Sequence, residues 1–114
     1  MRAMLVLASV LLSGLGLGSL QDQTGAIAGR VTERDGRPLP GVSITVTSAT
    51  LRPGFAPRVV TSRSGGDFRV DGLPPGTYRA AATLVIFETV VNERIDVAAG
   101  RTTTWNVVLE EETR

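Results

Sequence analysis

The chain of 114 residues contains no cysteine and no histidine, and all twelve of its basic residues are arginine, so lysine is absent as well. Zinc sites are built mainly from histidine and cysteine, and serine or threonine nucleophiles are usually activated by histidine or lysine. The composition therefore excludes a zinc metallopeptidase and the common covalent hydrolases. It also excludes disulfides and a Lys–Asn crosslink between strands. We predict no enzyme activity and no cofactor.

Aromatic residues are also scarce, with one tryptophan, one tyrosine and three phenylalanines. The core must therefore consist mainly of valine, isoleucine, leucine and alanine. The net charge is only +1, which gives no basic surface for nucleic acid. Thirteen glycines and six prolines favour many turns. This length and composition predict one small globular domain with short strands.

The first twenty residues differ from the rest of the chain. One arginine precedes an apolar run over 3–12, and small residues follow, which is the layout of a secretory signal peptide. We predict a signal peptide over 1–18, with cleavage before Ser19. The mature protein would then be secreted, periplasmic or on the cell surface, with no membrane span. The alternative is an uncleaved anchor, although about 18 apolar residues are marginal for crossing a bilayer.

Alternation of apolar and polar residues predicts the strands. The clearest case is 42–47, where Val42, Ile44 and Val46 alternate with serine and threonine. Further extended segments are predicted over 27–32, 58–64, 68–71, 77–87, 88–97 and 102–112. Glycine, proline and aspartate separate them, and the last residues, 111–114, are expected to fray. About seven strands with no helical period after residue 20 predict an all-β antiparallel sandwich or barrel.

Three stretches of the chain carry a family resemblance. They are "GAIAGRVTERDGRPLPGVSITVT", "VVTSRSGGDFRVDGLPPGTYRA" and "IDVAAGRTTTWNVVLE". With them the chain resembles the carboxypeptidase regulatory-like domain, a transthyretin-like (prealbumin-like) fold. The resemblance spans 24–110 and implies a seven-stranded antiparallel Greek-key β-sandwich, with a hairpin at its opening and another at its close. Most of the resemblance is carried by the order and spacing of six residues, which we predict to be a structural signature: Gly66, Phe68, Leu73, Pro74, Gly76 and Tyr78.

One position departs from the family's pattern. The family often has a Gly-Phe pair after the strand that begins with the tyrosine, whereas this chain has Ile86 before Phe87. The departure leaves the register of the sixth strand open and does not affect the predicted fold.

The resemblance implies an accessory role, because such domains are mostly non-catalytic parts of exported proteins. We therefore predict a non-catalytic module that binds another protein at the bacterial cell envelope or surface. A carbohydrate-binding module is the alternative, since such sandwiches are often grouped with carbohydrate-binding folds. Glycan binding would require Phe55, Phe87 and Trp105 to line one open face. Alternation instead places Trp105 on the face of Val107 and Leu109, in the core.

The long loop 48–58 is the candidate binding loop. Its large apolar residues, Leu51 and Phe55, are flanked by Arg52 and Arg58, and exposed apolar loop residues often mark a contact. The same residues are equally suited to folding back as a plug on the end of the sandwich. We expect "DGLPPG", by contrast, to be only a turn, because two prolines fix φ there and nothing in it titrates near neutrality.

Two weaker candidates involve hydroxyl and carboxylate groups. Ser62 and Ser64 lie near Asp67, but strand alternation explains their polarity without catalysis. Asp35, Asp67 and Asp71 lie at turns, and their spacing matches no calcium-binding loop. Ordinary turn chemistry, in which an aspartate accepts from its neighbouring backbone, is the simpler interpretation.

Overall fold

The computed structural model describes residues 24–49 and 55–112. The predicted signal peptide and the loop residues Leu51 and Arg52 lie outside these ranges. The described residues form eight strands: β1 (Gly25–Glu33), β2 (Ser43–Ser48), β3 (Arg58–Thr61), β4 (Asp67–Leu73), β5 (Gly76–Thr83), β6 (Val90–Val97), β7 (Thr102–Thr104) and β8 (Val107–Leu109). Over the same ranges, no helix has the length and apolar character needed to cross a membrane.

The strands form two four-stranded sheets. In the first, β1 is central and pairs with β4 on one side and with β7 and β8 on the other. In the second, the strand order is β3-β2-β5-β6. The two sheets pack as a sandwich, so the predicted all-β class is confirmed.

The core lies between the sheets and follows the alternation seen in the sequence. Val42, Ile44 and Val46 are fully buried, whereas the serine and threonine residues between them are half-buried. The opposite sheet contributes Ile27 and Val31 of β1 and the buried residues of β4 and β8. Valine and isoleucine suit this packing because their branched side chains fill a pleated surface.

Strand pairing differs from the predicted hairpins. β1 and β2 lie in different sheets, and so do β4 and β5, so Pro74 and Pro75 carry the chain from one sheet to the other. The closing segment is not a hairpin either, because β7 and β8 both pair with β1 in parallel. Turn residues show that a chain reverses direction, but they do not show which layer it enters.

The eighth strand arises because the predicted last strand is interrupted at Trp105 and Asn106. Here the backbone passes very close to β1, and a Cβ added to Gly29 would lie 1.8 Å from the Trp105 carbonyl oxygen. The Trp105 N–H donates to the Ala28 carbonyl at 2.8 Å, and Asn106 Oδ1 accepts from the Arg30 N–H at 3.1 Å. A side-chain oxygen thus replaces one backbone acceptor of the ladder.

The segment around residue 86 also differs from prediction. β5 ends at Thr83, and a turn over 84–87 follows instead of a continued strand. Phe87 pairs with Glu111 in an isolated antiparallel bridge, and the Glu112 N–H donates to the Ile86 carbonyl at 2.8 Å. Residues 111 and 112 are therefore paired, and the fraying predicted for them is wrong.

Candidate functional site

The described part of the predicted binding loop is folded against the sandwich. Phe55 is half-buried and packs on the core, with its ring centroid 5.3 Å from that of Tyr78. The Arg58 guanidinium lies 5.8 Å from the Phe55 ring centroid. Of the two interpretations left open for this loop, the structure places Phe55 in the plug arrangement. Leu51 and Arg52 remain outside the described residues.

Arg58 joins the two sheets at their edge. It lies opposite Val46 in the register, and it reaches β4, where Nη1 donates to the Asp71 carbonyl at 2.8 Å and Nη2 to the Gly72 carbonyl at 3.2 Å. These bonds satisfy carbonyl groups at the edge of the first sheet. They engage the guanidinium with the protein's own backbone and leave it less available to a ligand.

The signature residues Gly66 and Phe68 fix the start of β4. Gly66 has φ +83°, and a Cβ there would lie 2.5 Å from the Val31 carbonyl oxygen, so this position requires glycine for both conformation and space. Phe68 is buried, and its ring meets that of Trp105 edge to face at 6.3 Å between centroids.

The remaining signature residues build the passage between β4 and β5. Leu73 ends β4 and Gly76 begins β5, and the side chain of Leu73 is fully buried. The Tyr78 hydroxyl donates to the Pro74 carbonyl, which gives the one tyrosine a polar partner while its ring stays in the core. This stretch thus acts as a structural turn in the described fold.

The aromatic rings do not form an open face. Phe87 is buried, and Phe55 and Trp105 are half-buried with their rings against Tyr78 and Phe68 respectively. The large hydrophobic residues exposed in the described ranges are all aliphatic: Val59, Val85, Ile86, Val91 and Val108.

The serine considered as a nucleophile has a structural role. Ser62 is 5% exposed, its hydroxyl donates to the Leu39 carbonyl at 2.7 Å, and its oxygen accepts from the Val42 N–H at 2.9 Å. Ser64 is exposed on the following turn. The Ser62 hydroxyl thus ties the loop before β2 to the residue that follows β3, just beyond the end of the β2–β3 ladder.

The aspartates considered for calcium are each paired with an arginine. Asp35 pairs with Arg37 at 2.9 Å and Asp71 with Arg69 at 2.6 Å, while Asp67 lies 3.9 Å from Arg63. The Arg37 backbone N–H also donates to Asp35 Oδ1 at 3.0 Å, and this bond is the main cause that lowers the pKa of Asp35 below its ordinary value of 3.8. In the described part of the chain, no group of three or more carboxylates is placed to hold a metal.

Two shallow recesses lie at opposite ends of the sandwich. One, of about 260 Å³, is lined by the start of β1 and by Arg69, Gly100 and Arg101. The other, of about 240 Å³, is lined mainly by polar groups around Phe87, including Arg34 and Glu111. Neither brings a nucleophile and a base together in the way that covalent catalysis requires.

The most unusual feature of the surface is the turn over 84–87, which sequence reasoning did not select as a site. Val85 is 81% and Ile86 60% exposed, and the Phe87 N–H donates to the Leu84 carbonyl at 3.0 Å to close the turn. Ile86 has φ +68°. Among residues 24–49 and 55–112 it is the one non-glycine residue with positive φ.

Comparison with solved structures shows the fold. The Bacillus anthracis TIE protein matches at a TM-score of 0.65 and 18% identity, over 78% of this chain and 17% of that chain. The minor pilin GBS52 of Streptococcus agalactiae matches at 0.63 and 17%, over 81% and 46%. The 3-chlorocatechol 1,2-dioxygenase of Rhodococcus opacus matches at 0.62 and 11%, over 79% and 61%.

This chain thus spans between 17% and 61% of the length of these three similar proteins. At such low identity the likeness establishes a common sandwich and no common activity. A comparison with curated proteins finds no match. The family model described as "carboxypeptidase regulatory-like domain" matches residues 26–110, which include all of β2 to β8 and nearly all of β1. The chain therefore belongs to the carboxypeptidase regulatory-like domain family.

Proposed function

We propose that this protein is an exported, non-catalytic module that binds another protein at the bacterial cell envelope or surface. The observation that carries the proposal is the use of its polar groups. Ser62 and Arg58 are engaged with the protein's own backbone and the aspartates pair with neighbouring arginines, while the exposed large side chains are aliphatic. A surface with these properties is suited to contact and not to acid–base or nucleophilic chemistry.

Export is supported by the apolar leader over 1–18, and a surface location agrees with the likeness to a minor pilin. The test is expression of the full chain with a carboxyl-terminal tag in a bacterial host, followed by fractionation and sequencing of the amino terminus. The expected product begins at Ser19 and is found outside the cytoplasm. A product that keeps Met1 and stays in the cytoplasm would contradict the proposal.

Protein binding is tested by photo-crosslinking from several exposed positions of the full chain in the cells that produce it. The expected result is at least one reproducible adduct with a second protein. The glycan alternative receives no support from the positions of the rings, because Phe87 is buried and Phe55 and Trp105 pack on the core. Saturable binding on a glycan array, together with no protein adduct from any position, would replace the proposal with that alternative.

A further inference from the structure

We propose that the turn over 84–87 is the docking element of this domain, and that Val85 and Ile86 insert into an apolar pocket rimmed by arginine or lysine on a protein partner. The inference rests on the proposed function and names the surface that performs it. The predicted binding loop around Phe55 would then have a structural role.

The first support is exposure. Val85 and Ile86 are adjacent on one turn and are 81% and 60% exposed, so they form a continuous apolar tip. The other exposed valines lie singly on strands β3, β6 and β8. Single exposed aliphatic residues are normal on protein surfaces, whereas a projecting apolar pair resembles the anchor residues of interfaces.

The second support is backbone strain. Ile86 holds φ +68° at the third position of a four-residue turn, where glycine is preferred and a β-branched side chain is strongly disfavoured. The chain thus accepts both strain and exposure at one residue, and glycine would remove both. Strained residues of this kind cluster at functional sites, and an interface that contacts the isoleucine side chain would account for its presence.

The third support is preorganisation. The Ile86 carbonyl accepts from the Glu112 N–H at 2.8 Å, and the Glu88 N–H donates to the Glu110 carbonyl at 2.9 Å. These bonds tie the turn to the segment that follows β8. The tip is therefore presented in a fixed conformation, so less conformational entropy is lost when it binds.

The charge around the tip indicates the chemistry of the partner. Glu88, Glu110, Glu111 and Glu112 are exposed beside the turn. Arg34 lies 3.8 Å from Glu110, and among residues 24–49 and 55–112 it is the only arginine paired with any of these four glutamates. An acidic rim favours a basic partner surface and opposes both an anionic lipid surface and the same tip of a second copy.

The position of the tip leaves it accessible. β1 begins at Gly25, beside the recess formed with Arg101, and ends at Glu33, opposite Leu109 and close to the segment that holds the turn. The strand from Gly25 to Glu33 separates these ends by about 26 Å. The chain therefore enters the domain at one end and presents the tip at the other.

The test places a photo-crosslinking amino acid at Thr89, an exposed residue next to the acidic rim, in the full chain in the cells that produce it. Each adduct is then quantified in substituted backgrounds, and the crosslinked peptide is identified by mass spectrometry. A second crosslinker position, at Val59 on β3, reports on a different exposed surface.

Ile86→Gly and Val85→Ser are each expected to lower the yield of the Thr89 adduct about tenfold, the loss typical of removing one interface anchor. Ile86→Gly is expected to raise Tm at the same time, so unfolding would not explain its loss of binding. Val108→Ser is the matched control on β8 and should leave the yield unchanged. Glu88→Lys and Glu111→Lys should lower the yield, whereas Glu93→Lys, on β6, should not.

An adduct that survives Ile86→Gly and Val85→Ser overturns the inference, as does a crosslinked peptide without arginine or lysine. An adduct with a lipid or with a second copy of the chain overturns it as well. A protein adduct at Val59 but none at Thr89 refutes the docking role of the turn over 84–87 and preserves the proposed function. No protein adduct from any position refutes both.

Discussion

At the scale of single residues, the conformation of Ile86 is the clearest source of instability. A left-handed backbone conformation costs an L-residue about 1–2 kcal/mol, and a glycine placed there adds about 0.5–1 kcal/mol of backbone entropy to the cost of folding. Ile86→Gly is therefore expected to raise the free energy of unfolding by about 1 kcal/mol, or Tm by about 4 °C. Thermal unfolding followed by circular dichroism measures the change.

Val85→Gly is the matched control for this substitution. Val85 does not have positive φ, so glycine there removes no strain and only adds backbone entropy. Its Tm should be unchanged or lower. A rise in Tm for Val85→Gly as large as that for Ile86→Gly would show that strain is not the cause.

Asp35 gives a prediction at the same scale. Its pKa is lowered chiefly by the Arg37 backbone N–H and only then by the Arg37 side chain. Arg37→Ala should therefore leave the pKa of Asp35 below 3.8, although nearer to that value than in the native protein. NMR titration of the Asp35 side-chain carboxyl measures it, and a value at or above 3.8 in Arg37→Ala would assign the shift to the guanidinium instead.

The direction of this shift fixes its effect on stability. A carboxyl group whose pKa is lower in the folded than in the unfolded state stabilises the fold above the unfolded value. That contribution is lost as the pH falls through the folded value. Asp35 thus contributes its full stabilisation near neutrality and loses it only in acid, as the pH falls below about 4.

At the scale of elements, Ser62 connects the loop before β2 to the end of β3. Ser62→Ala removes a donor to the Leu39 carbonyl and leaves the buried Val42 N–H without its acceptor. The expected loss is about 1–3 kcal/mol in the free energy of unfolding. Ser64→Ala, on the exposed turn, should change stability by no more than about 0.5 kcal/mol. Urea denaturation of both variants checks the difference.

The close approach of β1 to the break between β7 and β8 gives a second prediction for elements. In Gly29→Ala the new Cβ would lie 1.8 Å from the Trp105 carbonyl oxygen, a contact that only backbone movement relieves. We expect a loss of about 3 kcal/mol or more. Gly65→Ala, whose Cβ meets only the Asp67 side chain at 3.3 Å, should cost far less. Equal losses of stability in the two variants would show that the break between β7 and β8 does not depend on the close approach at Gly29.

These elements also show how far the sequence predicts the structure. The alternation in β2 and the spacing from Gly66 to Tyr78 predict buried faces that the structure confirms, because period-two patterning depends only on local geometry. The break at Trp105 depends on contact with Gly29, some 76 positions away, and local patterning carries no such information. The conformation of Ile86 is similar, since the sequence predicts a continued strand over 77–87 and the turn is held by Glu112 on a distant segment.

The candidate loop was harder to interpret than the fold. Apolar loop residues such as Phe55 look alike in sequence whether they bind a partner or pack on their own domain. Phe55 contacts Tyr78 of β5, and loop composition alone does not predict that contact. Arg58 likewise looks like a surface charge until its carbonyl acceptors on β4 are known.

At the scale of the whole molecule, β8 supplies the pairing partner for the carboxyl-terminal end of β1. β8 contributes the buried residues Val107 and Leu109 and fills the free edge of β1. A chain that ends after Asn106 loses both side chains, each contributing about 1.5–3 kcal/mol, from a domain whose stability is typically about 5–15 kcal/mol. We expect it to be unfolded by circular dichroism, whereas a chain that ends after Glu112 should fold. A folded chain ending at Asn106 would show that β1 does not need its pairing with β8.

The parallel pairing of β1 with β7 and β8 has a mechanical consequence. If tension pulls on the chain before Gly25 and after Leu109, β1 and β8 are drawn in opposite directions along their length. The force then shears the ladder and loads its hydrogen bonds together, whereas a hairpin pulled from its open end would lose them one at a time. Tension applied across β1 and β8 is thus resisted by the ladder as a whole and does not separate its hydrogen bonds one by one.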